Sequence, residues 1–363
     1  MSPGPEMKAG GIAAVGGDAS YDEVNDYFYE RGWTDGLPIV PPTEERVRAM
    51  LDGMPWRAAD ELIYVVPPKM GHATMRQIAV NAVMAGCKPE YLPVVVAALQ
   101  AVAEPEYGLS HRQTTTHAGA PLVIVNGPIV QHLRINCGRG VFGPGWRANA
   151  TIGRALRLIL VNIGGAGPLV DASQTGHPGK YTYCIAEYEA ASPWEPLHVE
   201  RGYAREQSVV TVVNAEAPHS MTENIQTDPD EIVRTFSSCM ATLGVNNLYS
   251  QGHPILVMGV EHARHIAAAG WSKYDVQKAL FERARQPWGL AKNRGKSKGP
   301  RFPELVDRND DNSMVPIVRA PRDLILIVAG GAGGKSMFLP TAGGQSLSVS
   351  KVIEGGTGAG REQ

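Results

Sequence analysis

The chain runs to 363 residues, 43% hydrophobic and 19% charged, a balance that suits a folded core and excludes a wholly disordered chain. Lys and Arg total 34 against 36 Asp and Glu, so no cationic surplus exists to hold a nucleic-acid backbone or an anionic membrane. At about 150 residues per domain, the length predicts two lobes with a cleft between them.

Residues 1–20 contain one lysine and no sustained apolar run, so they read as a flexible lead rather than a secretion signal. Order is expected from Tyr21, in a short helix ending near Arg31. The proline-rich WTDGLPIVPP follows, with a turn at Asp35-Gly36, and then a helix from Thr43 to Leu51. Further helices are predicted at Thr74 to Ala85 and Pro89 to Ala103; the apolar stretch of the second is too short to span a bilayer. PLVIVN, Pro121 to Asn126, reads as a strand covered on both faces, as in a parallel sheet. Beyond a glycine-rich segment, Ile152, Ala155, Leu156, Ile159, Leu160 and Ile163 recur at helical spacing until Gly164-Gly165. Strands at Tyr181 to Ala186 and Ser208 to Val213, a helix from Pro229 to Leu243 and a strand from Pro254 to Val260 begin a second α/β unit. Residues 286–314 form a polar excursion, expected as a surface loop. A last strand, Leu324 to Val328, enters AGGAGGKS, and a glycine-rich tail closes the chain.

GAPLVIVNGPIVQHL and GHPILVMGVEHARHI each follow a helix, place Gly after the strand and lead to another helix, which suggests a diverged duplication. The first copy carries extra residues around CGRGVFG, whereas the second starts its helix with a Ser272–Asp275 capping box. The expected fold is α/β, two lobes of mainly parallel sheet flanked by helices. Residues 21–205 and 206–354 form these lobes, between the flexible lead and a flexible tail at 355–363.

In RINCGRGVFGPGWRAN, glycines and the free N–H groups of a helix start provide an anion-binding recipe. Asn136, Gly138, Arg139, Gly143, Gly145, Arg147 and Asn149 are the candidate substrate-binding residues there, although a strained connection explains the glycines too. Cys137 is a candidate nucleophile whose thiolate a helix dipole and arginines would favour; the rival role is a small residue in a tight loop. Cys87, Cys184 and Cys239 read as core, and the four cysteines form no CxxC pair, which suits a reducing, cytoplasmic setting. His117 and His177 are candidate acids or bases, and Lys180 a candidate anion contact, each against the plainer alternative of a surface loop residue. His262 and His265 have i, i+3 spacing without clustered carboxylates, so no protein-bound metal is expected, and no cofactor either. AGGAGGKS fits a loose P-loop pattern, but Pro340 leaves no room for the required helix. It reads instead as a second glycine-rich wall of the cleft, with Lys335 facing an anion.

WTDGLPIVPPT, NAVMAGCKPEYLPVVVAAL, GPGWRANATIGRALRLIL and GHPGKYTYCIAE together resemble a poorly characterised bacterial family, over most of residues 21–280. That family is associated with short redox-type proteins bearing a selenocysteine-or-cysteine, Gly, Ser, Cys motif, themselves similar to selenoprotein subunits of glycine reductase. The resemblance implies a stand-alone enzyme or large subunit acting on a small organic acid or its thio, nitro or halo analogue. It also implies a small cysteine- or selenocysteine-bearing companion. This chain has Cys137-Gly-Arg-Gly at its own loop, so the second thiol of a redox pair is missing there. The expected activity is a lyase, hydratase or hydrolase reaction on a small anionic substrate in the cleft, by a homo-oligomer. The alternatives are a substrate-presenting subunit of a thiol or selenol complex, and a ligand-binding protein without turnover.

Overall fold

A computed structural model describes residues 19–295, 299–341 and 347–355. The expected lead up to residue 18 and the tail from 356 lie outside the described residues. In chain order, α1 (Tyr21–Glu30) and α2 (Glu44–Leu51) precede the hairpin β1 (Leu62–Val66) and β2 (Gly71–Thr74). Next come α3 (Met75–Ala85), α4 (Leu92–Ala103), α5 (Leu109–Gln113), β3 (Ala120–Asn126), α6 (Ile129–His132), α7 (Arg147–Asn162), β4 (Cys184–Ala186), α8 (Leu197–Glu200) and β5 (Val209–Ala215). The chain continues through β6 (His219–Thr222), α9 (Pro229–Met240), β7 (Ile255–Met258), α10 (Val260–Ala268), α11 (Lys273–Arg283), β8 (Arg285–Pro287) and α12 (Trp288–Ala291). It ends with β9 (Met314–Pro316), β10 (Ile325–Val328), β11 (Lys335–Leu339) and β12 (Val349–Val352).

Local chemistry sets many of these boundaries. Ser20 with Glu23 and Ser272 with Asp275 close capping boxes on α1 and α11, and Thr43, Thr74 and Asp228 cap α2, α3 and α9. The polar excursion is partly structured: β8 pairs with β9, and Lys292 bonds Asp311 across it.

Two four-stranded sheets, ordered β4-β3-β5-β12 and β10-β7-β11-β6, pack face to face. Ala120, Leu122 and Ile124 of β3 meet Ile255 and Val257 of β7 and Ile325 and Ile327 of β10 in a shared apolar core. The alternate residues Val123 and Val125 pack under α4 and α7, while Leu256, Met258, Leu326 and Val328 pack under α9 and α11. The molecule is therefore an α/β protein of four layers, helix, sheet, sheet, helix.

Within each sheet one pair is parallel, β3 with β4 and β7 with β10, and the other pairs are antiparallel. The expectation of mainly parallel sheets is thus corrected. PLVIVN is apolar throughout because layers cover both its faces, and that cover says nothing about strand direction. The two sheets share one connectivity, with β3 and β7 in equivalent places, as the paired strings suggested. Gly127 and Gly259 each stand where a Cβ would meet a carbonyl oxygen, that of Gln207 just before β5 at 2.2 Å and that of Lys335 at the start of β11 at 2.1 Å.

The fourth strand of each sheet comes from the other half of the chain. β6 follows β5 but pairs with β11, and β12 follows β11 but pairs with β5. A boundary at 205/206 is corrected accordingly: it would separate β5 from β3, its partner along the whole strand. The Glu216 N–H also donates to the Pro340 carbonyl at 2.8 Å, tying the halves together where these strands end. Among the described residues, no single helix is long and apolar enough to cross a membrane.

Candidate functional site

The residues singled out from sequence separate to opposite ends of β3, a seven-residue strand about 20 Å long. At its carboxyl end, the loop before α7 is fastened by its own amides. The Asn136 N–H donates to Asn149 Oδ1 at 2.8 Å, and Asn149 Nδ2 returns bonds to the carbonyls of Asn136 and Cys184. Asn136 Nδ2 donates to the Arg139 carbonyl, and its Oδ1 accepts from the Gly138 N–H. Gly143 donates to the Gly140 carbonyl, and Gly145 borders open space. Arg147 bonds the Gly86 carbonyl, while exposed Arg139 lies against Gly331. The expected anion receptor therefore spends Asn136, Gly138, Gly143 and Asn149 on closing the loop, and Arg147 turns to Gly86.

The second glycine-rich run does meet this loop, since the Gly330 N–H donates to the Cys137 carbonyl at 2.8 Å. It leads into strand β11 rather than a phosphate-binding helix. Lys335 turns to Thr222 Oγ1 at 2.9 Å, beside an open pocket of ≈ 570 Å³ lined by Glu223, Glu261, His262 and His265. The polar groups of that pocket are largely bonded within the protein: Glu261 accepts from the N–H groups of Gly333 and Gly334, and both His262 nitrogens are engaged. Among the described residues, no group of three or more His, Cys, Asp or Glu side chains is placed to hold a metal ion.

Cys137 is half-buried, and burial followed by the charge of Glu189 pushes its thiol up, opposite to the expected thiolate stabilisation. Its surroundings are acidic. Buried Asn126, at the end of β3, donates Nδ2 to Glu187 Oε2 at 2.7 Å and to Glu189 Oε1 at 3.0 Å. Asn126 Oδ1 and Glu187 Oε1 are both buried without partners, and burial raises the Glu187 carboxyl. Burial thus favours the neutral acid at Glu187, although the Leu197 N–H and the Asn126 amide both donate to Oε2 and favour the charged form. His198, fully buried, stands 3.8 Å from Glu189. Sequence reading missed Asn126, Glu187, Glu189 and His198; the signal was the acidic pair flanking Tyr188 directly after a strand's carboxyl end.

The opposite end of β3 gathers a different set. His117 Nε2 is 2.8 Å from Glu216 Oε1, and its Nδ1 accepts the Gly119 N–H, so this hydrogen-bond pattern places the proton on Nε2. His177 Nδ1 accepts from the Gly179 N–H, leaving Nε2 as its donor. The Ala215 carbonyl lies close enough to favour the charged ring, yet buried Nε2 makes no well-formed hydrogen bond. Burial outweighs that carbonyl and holds His177 below its ordinary pKa. Tyr183 packs edge-on against His177 at 5.5 Å between ring centroids and donates its hydroxyl to the Glu216 carbonyl.

Helix α7 joins the two ends. Its first turn latches the glycine-rich loop through Asn149, and Arg157 further along donates to the Lys180 carbonyl at 3.0 Å. Lys180 Nζ and Arg157 share Asp171, at 2.7 and 3.6 Å, so a buried and a partly buried cation face one carboxylate. The structure thus brings His117, His177 and Lys180 together and leaves Cys137 and the glycine-rich loop apart from them. Glu216, Asp171, Arg157 and Tyr183 complete the cluster, and no sequence motif announced them. No protein-family model matches the chain, and comparison with curated proteins likewise gives no match.

Proposed function

We propose that the protein is an enzyme that binds a small anionic organic substrate at the Glu216 end of β3 and makes or breaks a carbon-heteroatom bond by proton transfer, as a lyase or hydratase does. One observation carries the reading. Acid, base and cation come together there from four separate stretches of chain, with the buried Nε2–H of His177 left without a well-formed bond. The Glu216 carboxylate, oriented by His117, takes a proton from the carbon beside the substrate's acidic group. The charge passing to the substrate oxygen meets the neutral His177 donor, as burial favours. Lys180 and Arg157, two cations on one acid, supply the attraction for an anion. Loss of the heteroatom group completes the lyase direction, and the reverse is addition across the double bond.

The test is proton exchange in D₂O, followed by NMR across small carboxylic acids and their hydroxy and thio derivatives. Exchange or elimination is expected with the native protein. Glu216→Gln should lower its rate by about 10²–10⁴-fold, while Cys137→Ser leaves it unchanged. Absence of exchange and of elimination across the series would sink the reading.

A further inference from the structure

Helix α8 ends in Glu200 and Arg201, two charged residues that the chemistry at either end of β3 does not use. Arg201 is partly buried beside β12, where its Nη1 donates to Ser350 Oγ at 2.8 Å and its Nη2 to Ser348 Oγ at 2.6 Å. Hydroxyls offer a guanidinium dipoles but no counter-charge. Among the described residues no carboxylate stands within ion-pair distance of Arg201, and burial pulls its pKa down. Its neighbour Glu200 is already matched: Oε2 lies 2.6 Å from Nζ of buried Lys273, and Oε1 accepts from Gln277 Nε2 at 3.2 Å. Exposed Arg322 sits over the Tyr274 ring at 5.0 Å and reaches to 3.5 Å from Glu200 Oε1. Asp323 turns to the Ala320 N–H at 3.0 Å and stands 3.9 Å from His253. Three cations, Arg201, Arg322 and Lys273, therefore share one carboxylate. A cavity of ≈ 130 Å³ opens among these groups, with Arg201, Arg322 and Glu200 on its charged side and Leu197, Leu324 and Ile325 on its apolar side. An apolar cavity of about 150 Å³ holds a benzene ring, so this one suits a ligand of about six heavy atoms.

We propose that this cavity is a second ligand site, separate from the Glu216 end, and that it takes a short-chain aliphatic monocarboxylate. The carboxylate lies between Arg201 and Arg322, and the chain lies against Leu197, Leu324 and Ile325. An inorganic anion would leave the apolar side uncovered, whereas a neutral molecule would leave the surplus positive charge unmatched.

The test titrates the full chain with butyrate in a calorimeter, against butan-1-ol, butylamine and inorganic phosphate, with thermal unfolding as the check on folding. Butyrate is expected to bind at least about tenfold more tightly than the alcohol, the amine or phosphate. Arg201→Met keeps the length but removes the charge, and should weaken butyrate about tenfold or more. Arg322→Ala changes an exposed side chain, so it should leave the unfolding temperature as it is and weaken butyrate about three- to tenfold. Should Arg201→Met fail to fold, Arg322→Ala decides. Lys180→Met, at the Glu216 end, should leave butyrate binding as it was. Native affinity for butyrate in both arginine variants overturns the site, and so does the absence of butyrate binding. Butan-1-ol or phosphate binding as tightly as butyrate overturns the monocarboxylate assignment. Loss of butyrate binding in Lys180→Met alone places the anion at the Glu216 end, which overturns this site and leaves the proposed function standing.

Discussion

The two ends of β3 use similar residue types in opposite electrostatic settings. At the carboxyl end, Glu187 and Glu189 surround Asn126, burial favours the neutral acid at Glu187, and the Cys137 thiol is pushed away from ionisation. At the amino end, His117 orients Glu216 and two cations flank Asp171. The difference shows that a catalytic residue type is not a catalytic setting. Beside one end of β3 stands a carboxylate oriented by a histidine, and beside the other a thiol facing an acid.

Stability measurements can break this comparison most directly at Glu187. Glu187→Ala leaves the Asn126 amide and the Leu197 N–H without their acceptor and is expected to cost about 2–4 kcal/mol in chemical denaturation. Glu187→Gln supplies an N–H where the acid would carry its proton, so it should hold or raise stability above neutral pH. Equal losses in the two variants would refute the neutral-acid description.

The pH dependence of unfolding sharpens the contrast, because the ends respond with opposite sign. His177 has a folded pKa below its unfolded value near 6.5, so its contribution is full above that value and is lost as pH falls through the folded pKa. Glu187 has a folded pKa above its unfolded value near 4.5, so its contribution is full below that value and is lost as pH rises through the folded pKa. Thermal unfolding scans should show His177→Phe reducing the acid-side loss and Glu187→Gln reducing the alkaline-side loss. Exchange of these two effects would reverse the assignment of the ends. The smallest effect is expected away from both, at the strand shared between halves. Lys351 of β12 pairs with Glu104, both partly exposed, and Lys351→Ala should cost about 0.5 kcal/mol without altering either pH limb.

Much of the helical layer was legible in the sequence. The Ser272–Asp275 box and the apolar spacing of Ile152 to Ile163 are local signals, and α11 and α7 follow them. The expected strand from Tyr181 shortens to Cys184–Ala186 because His177 and Pro178 start a tight turn before it. β6, β11 and β12 were missed: all are short, β6 and β12 pair with strands of the other half of the chain, and β11 pairs with β7 across about 80 residues. Of the candidate site, His117, His177 and Lys180 were visible as residue types. Their partners Glu216, Asp171 and Arg157 were not, since an ordinary carboxylate or arginine acquires its role only through what packs beside it.

The sequence by itself determined the α/β class, most helix boundaries and the matching of β3 with β7, because caps, periodicity and apolar runs act over a few residues. Only the tertiary structure decided strand direction, the exchange of outer strands and the end of the sheet at which each polar residue stands. The reason is physical. Alternation and burial specify which face of a strand is covered, whereas pairing across long sequence separations fixes what covers it and which charges become neighbours.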